Sequence, residues 1–150
     1  ITKISLIPSS RYRIIAIGKI RKRWIKEGVD TYLKRLPGLI ITELRDSNPT
    51  KESELILSSL SKDEVLIALS EEGPQITSLE FTQSLQGFGS KKLVFALGGA
   101  DGLSKKITKS AKTLLSLSPM TFPHEIARLI LIEQIYRAHT IMQGSPYHRE

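Results

Sequence analysis

SLSPMTFPHEIARLILIEQIYR, residues 116–137, is the stretch on which the fold turns. Leu115, Ser116, Leu117 and Ser118 alternate apolar with polar, the period of a strand end. Pro119 and Pro123 bracket a short connection, and Pro123 suits a first helical turn, where its missing N–H is not needed. Thr121 stands where its hydroxyl would cap that helix. The spacing predicts a helix over residues 123–142. Its apolar residues, from Ile126 to Met142, cover more than one stripe, so a single packing surface would leave apolar area in water. Such a helix must be covered on two sides, by its own domain or by a second copy of the chain.

Outward from this stretch, 150 residues make one domain with a real core. The net charge of +7 favours a polyanionic partner, most simply nucleic acid. There is no cysteine, which removes disulfides, thiol catalysis and cysteine-based zinc sites together. No uncharged apolar run approaches the roughly 18 residues of a membrane helix. The first acidic residue is Glu27, and eight lysines and arginines precede it. That bias fits a trimmed organellar targeting segment, confined to residues 1–10 because residues 14–18 already read as a buried strand. Residues 1–11 are therefore expected to be an extension and residues 12–150 the domain.

Strand-like and helix-like segments alternate. Residues 12–18 (YRIIAIG), 39–44, 64–69 (EVLIAL), 92–97 (KLVFAL) and 114–117 read as short, continuously apolar strands. Helices are expected over 21–36, with Trp24, Ile25, Val29, Tyr32, Leu33 and Leu36 at helical spacing, and over 51–60, with Leu55, Ile56 and Leu60 inward. Two more follow over 77–86, opened by Thr77 or Ser78 with Glu80 as a capping-box partner for Thr77, and over 104–112. This is the pattern of an α/β fold: a mainly parallel sheet with helices on both faces. Ligands of such sheets sit beyond the carboxyl ends of the strands. The segments leaving those ends are residues 71–73, 98–102 and 118–122.

Gly98, Gly99 and Gly102 miss the spacing of a dinucleotide fingerprint, and Leu103 stands where a phosphate loop needs its second glycine. Glycines after a strand still allow a backbone to approach a nucleoside closely. His124–Glu125 begins a zinc-protease motif that fails at Arg128, so no metal site is expected. Ser116 and Ser118 lack the nucleophile-elbow pattern. Glu133 and Arg137 are spaced for an ion pair along the last helix. Beyond Gly144, the tail packs Tyr147, His148 and Arg149 together, a mixture suited to a base and a phosphate.

LGGADGLS (97–104), LSLSPMTFPHEIARLILIEQIYRAHTIMQG (115–144) and PYHR (146–149), with RIIAIGKIRK and TYLKRLP nearer the start, resemble one family. It is the bacterial methyltransferases of N3 of a pseudouridine in large-subunit ribosomal RNA, within the SPOUT superfamily of knotted methyltransferases. The resemblance runs from about Tyr12 to Glu150 and implies a C-terminal trefoil knot, an exception to the rule against knots. It implies S-adenosylmethionine as cofactor, held by Leu69, Gly98, Leu117, Ser118, Pro119, Met120, Thr121 and Phe122. It also implies a homodimer acting on assembled ribosomes, and hence a cytoplasmic place of work, or an organellar stroma or matrix if residues 1–10 are a leader remnant.

The substrate chemistry then assigns expected roles. The imide N3–H of pseudouridine must lose its proton, and a base or nearby cation helps it leave. His148 is the candidate base or base-positioner, Tyr147 the stacking platform, and Arg137 the cation favouring the imide anion. The alternative is a non-catalytic factor that binds ribosomal RNA, for which an intact cofactor pocket would be superfluous.

Overall fold

A computed structural model describes residues 9–149. The strands are β1 (Tyr12–Ile17), β2 (Ile40–Leu44), β3 (Glu64–Leu69), β4 (Lys92–Leu97) and β5 (Thr113–Leu115). The helices are α1 (Arg23–Leu33), α2 (Pro49–Ser58), α3 (Ser78–Gly87), α4 (Lys105–Ser110) and α5 (His124–Gln143). The strands form one sheet in the order β2-β1-β4-β3-β5, and every pairing is parallel.

The inner strands β1, β4 and β3 bury both faces, as the sequence predicts, whereas β2 at the sheet edge buries none of its residues fully and leaves Ile40 exposed. Ile14, Phe95 and Ile67 face α1, α3 and α5, with Ile25, Phe81 and Ile132 among their neighbours in the larger core. Their neighbours along the strands, Ile15, Val94 and Leu66, face the other way, into a second core with Ile56 and Ile107 of α2 and α4. The period of two along each strand thus divides the interior into two layers.

Several expected boundaries shift for local reasons. Helix α2 starts at Pro49 rather than Lys51, because Asn48 accepts the Lys51 amide at 3.0 Å and proline fits the first turn. Leu55, expected inward, is exposed, and so is Trp24 at 59%. Trp24 precedes the buried Ile25 by one residue, and one residue turns about 100° around a helix. Thr77 and Glu80 form the reciprocal capping box. Thr121 does not cap α5: Pro123 occupies the cap position without a side-chain bond, and Thr121 Oγ1 instead donates to Glu71 Oε1 at 2.9 Å. Residues 1–8 of the expected extension lie outside the described residues, while Ser9 is buried and bonds the Pro37 carbonyl.

Helix α5 finds its two-sided cover inside its own domain, packed against α1 on one flank and α3 on the other. Its first turns also carry two buried charged groups. Glu125 Oε1 accepts the amides of Arg21 at 2.7 Å and Lys22 at 3.1 Å. Arg128, 2% exposed, donates to Glu43 Oε2 at 2.6 Å and to the Gly18 carbonyl at 2.9 Å. Together they join α5 to the ends of β1 and β2 and to the start of α1.

Arg128→Ala should therefore lower unfolding stability by about 3 kcal/mol, the low end of the range for breaking a buried pair, because Glu43 is partly hydrated. Urea unfolding measures it, and a change under 1 kcal/mol would deny Arg128 this role.

Candidate active site

Beyond the carboxyl ends of β3, β4 and β5 lies an open cleft of about 840 Å³. Three segments wall it: residues 69–72, residues 97–103, and residues 115–124, which enter α5. Leu69, Gly98, Leu117, Ser118, Met120, Thr121 and Phe122 all line it, whereas Pro119 does not.

The glycine loop is folded tightly on itself. The Gly102 amide donates to the Gly99 carbonyl at 3.0 Å, and Gly102 takes a left-handed φ of 72°. A Cβ on Gly98 would stand 2.4 Å from the Gly102 carbonyl carbon, so no other residue fits there without moving the loop. In the third wall, Ser118 Oγ accepts the Met120 amide at 3.0 Å, and the Ser118 carbonyl accepts Ser116 Oγ at 3.1 Å. Met120, 74% exposed, sits at the mouth.

Charge sets the cleft's chemistry. Glu71, Glu72 and Asp101 line it, and among the described residues no lysine or arginine does, in a chain of net charge +7. A polyphosphate would meet carboxylates there. A cationic ligand with an adenosine-sized body would meet complementary charge and close-approaching backbone.

Arg137, Tyr147 and His148 are brought together, but elsewhere. Glu133 is their hub: its Oε1 accepts Arg137 Nη2 at 2.6 Å and Tyr147 Oη at 3.1 Å. The Arg137 guanidinium also lies over the Tyr147 ring at 4.9 Å, and Tyr136 meets that ring edge-on at 4.8 Å. Burial, the Tyr32 hydroxyl and the Glu133 charge all push the Tyr147 phenol well above its ordinary range, so it remains neutral. Arg137 Nη1 stands 3.1 Å from His148 Nδ1. A guanidinium only donates, so Nδ1 accepts and a neutral imidazole carries its proton on Nε2. That Nε2 is buried and without a hydrogen-bond partner among the described residues.

The two groups occupy opposite ends of α5. His124 lines the cleft, and Arg137 follows about 20 Å along the helix at ~1.5 Å per residue. The Glu133–Arg137 spacing was readable in the sequence. Tyr32 as a partner of Tyr147, and the acidic lining of the cleft, depend on contacts between distant segments that no local pattern carries.

With this geometry in place, comparison with known proteins assigns the lineage. A family model described as "Predicted SPOUT methyltransferase" matches residues 10–148. The chain belongs to the SPOUT methyltransferase family. It is 58% identical over 140 residues to "Ribosomal RNA large subunit methyltransferase H" of Synechococcus sp. (strain CC9605), spanning 93% of this chain and 97% of that one. It is also 58% identical over 145 residues to a protein of the same name from Prochlorococcus marinus, with 97% and 100% covered. Among solved structures, the fold resembles a "probable methylase family protein" from Haemophilus influenzae Rd KW20, at TM-score 0.58 and 14% identity, covering 95% of this chain and 72% of that one. It also resembles the SpoU methyltransferase AviRb from Streptomyces viridochromogenes, at TM-score 0.52 and 11% identity, covering 95% and 64%. These family relations bear on the cleft, where α5 begins.

Glu125 provides a pH test of that beginning. Burial alone would raise its pKa, but the amides of Lys22 and Arg21 and the nearby positive charges more than offset this, leaving the carboxyl below its ordinary range. A depressed carboxyl contributes stability present above the unfolded value, about pH 4.3, and lost as pH falls through the folded value. Glu125→Gln should cost about 1.5 kcal/mol at pH 7, as for a hydrogen bond to a charged group. The gap from the unmutated protein should close as pH drops below about 4.3. Urea titrations across pH check this, and a pH-independent gap would exclude the carboxylate as the cause.

Proposed function

We propose that this protein methylates N3 of a pseudouridine in large-subunit ribosomal RNA, using S-adenosylmethionine and working as a homodimer on assembled ribosomes. The observation that carries the cofactor assignment is the charge of the cleft: three carboxylates and no lysine or arginine among the described lining residues, beside a wall of glycine backbone. S-adenosylmethionine carries a sulfonium and an ammonium against one carboxylate, a net single positive charge beside its adenosine, which suits that lining. The names of the 58% identical relatives supply the RNA class. The compartment of action would be wherever the ribosomes are.

A C-terminal trefoil knot is part of this reading. Strand β5 lies at the sheet edge beside β3, yet α5 packs across to α1, so residues 116–123 must pass the carboxyl ends of β3 and β4 and the glycine loop. Leu69, Gly98, Leu117, Ser118, Met120, Thr121 and Phe122 would hold the cofactor, with Pro119 shaping the turn.

When bound, S-adenosylmethionine supplies a methyl group activated by its sulfonium. The chain's own work would be to place N3 in line with that methyl and to favour loss of the N3 proton to water, leaving the nitrogen lone pair free for the new bond. Arg137 would stabilise the imide anion, Tyr147 would stack on the base, and His148 would orient Arg137 through Nδ1. Because Arg137 and the tail stand about 20 Å from His124 along one α5, the tail that serves a cleft would come from the second protomer.

Calorimetry should show binding of S-adenosylmethionine and of its demethylated product but not of a dinucleotide, and Gly98→Val should abolish both. Ribosomes carrying pseudouridine should be methylated, and those carrying uridine at that position should not. Binding of a dinucleotide alone would end the cofactor assignment, and bound cofactor without methyl transfer would favour the RNA-binding alternative.

The two-protomer site makes a separate prediction. Gly98→Val and His148→Ala proteins, each inactive alone, should regain activity when mixed and allowed to exchange subunits, because each mixed dimer contains one intact pairing of cleft and tail. No recovery, or a monomer by light scattering at micromolar concentration, would refute it.

A further inference from the structure

The corner where β1 turns into α1 is strongly cationic, and neither the cleft nor the tail uses it. Lys19, Arg21, Lys22, Arg23 and Lys26 are all exposed there. Arg23 and Lys26 form exposed pairs with Glu27 and Asp30, contacts of small worth that an incoming anion can displace. Among the described residues, Lys19, Arg21 and Lys22 have no carboxylate within ion-pair distance. In their midst Trp24, the only tryptophan of the chain, is 59% exposed. Tryptophan is highly buried on average, so its exposure in a segment this rich in cations calls for a ligand.

The corner is also held in place. Glu125 Oε1 fixes the amides of Arg21 and Lys22, and Arg128 fixes the Gly18 carbonyl. Next to Glu125, His124 lines the cleft, so one turn of α5 touches both the cleft and the cationic corner. Cations are placed here at the amino end of α1, where the helix dipole opposes them. Folding alone gives no reason for that arrangement.

We infer that Lys19, Arg21, Lys22, Arg23, Trp24 and Lys26 form a docking surface for unpaired RNA beside the target nucleotide, with Trp24 stacking on a base and the cations holding backbone phosphates. The inference rests on the RNA-methylation reading above and adds to it the place where RNA is gripped. Cations plus an exposed aromatic ring are the means by which proteins hold single strands. A duplex hides its base faces and an acidic protein has none, so neither would occupy Trp24 in this way.

The test uses the full-length protein and a mixed-sequence single-stranded RNA of 12 nucleotides. With one tryptophan in the chain, fluorescence excited at the red edge, where tyrosine does not absorb, reports on Trp24 alone. RNA should quench it. Trp24→Ala should weaken RNA binding about tenfold, within the range for one base–aromatic stack, and Trp24→Phe should restore most of the loss. Replacing Arg21, Lys22 and Arg23 together by glutamine should reduce the slope of log affinity against log salt by about 2, as for three phosphate contacts on a single strand. All these variants should keep the unmutated affinity for S-adenosylmethionine. Unquenched fluorescence, equal quenching by polyglutamate, or an unchanged salt slope would overturn the docking surface. So would failure of acrylamide to reach Trp24 in the free protein, which would mean that a second copy covers it. If the unmutated protein still methylates ribosomes in those cases, only the docking surface falls. If it neither binds S-adenosylmethionine nor transfers methyl, the functional reading falls and the docking surface with it.

Discussion

One buried guanidinium holds the last helix to the first strand. Arg128 spans from α5 to the carbonyl at the end of β1 and to Glu43 on β2, and it does so in an interior where an unpaired charge would be prohibitive. Glu125, one turn earlier, meets the adjoining amides. The pair is complementary in kind: an anion takes donors before α1, and a cation takes an acceptor after β1. Fixing the β1–α1 corner in this way fixes where α5 begins. Where α5 begins determines the third wall of the cleft, since residues 115–124 are that wall.

The same helix then carries position to its other end. Twenty residues of regular helix form a rigid strut, and α1 and α3 clamp it along its length. Close approach to α1 is possible because Gly28 has no side chain: a Cβ there would already be 3.3 Å from Leu129 Cδ1. At the far end Gly144 ends the helix in a left-handed turn, and the tail folds back so that Tyr147 reaches Glu133 and Tyr32. The tail is thus held by directional bonds at a set distance from the cleft.

How much of this the residues announce depends on the range of the interaction. The five strands and the long helix are legible because continuous apolar runs and helical spacing are local patterns. The glycine wall is legible too, since the spacing of its glycines is enough to exclude the phosphate-binding motifs. Trp24 misleads because it neighbours Ile25 and shares its hydrophobicity, and only the orientation of α1 on the sheet separates them. Thr121 misleads because a hydroxyl before a helix suggests a cap, whereas its partner, Glu71, lies fifty residues away in sequence. Glu125 and Arg128 look like ordinary solvated helix residues until the β1–α1 corner is placed against them. Buried charges leave no periodic signature.

The distribution of charge binds these features into one device. A chain with net charge +7 has kept lysine and arginine out of the described lining of its main cleft and lined it with Glu71, Glu72 and Asp101. Had the surplus cations been spread evenly, the cleft would attract the polyanion that the outer surface is suited to hold. Instead the carboxylates make the cleft a poor site for a phosphate chain and a good one for a small cation, while the exposed corner around Arg21 does the opposite. Only the first turn of α5 separates the two fields, and its own residues divide the same way, with His124 on the cleft side and Glu125 bonded to the corner. A ligand of either sign therefore meets one surface that attracts it and one that repels it. Under the proposed function, that sorting would let a cationic cofactor and an RNA be held side by side without competing for the same place.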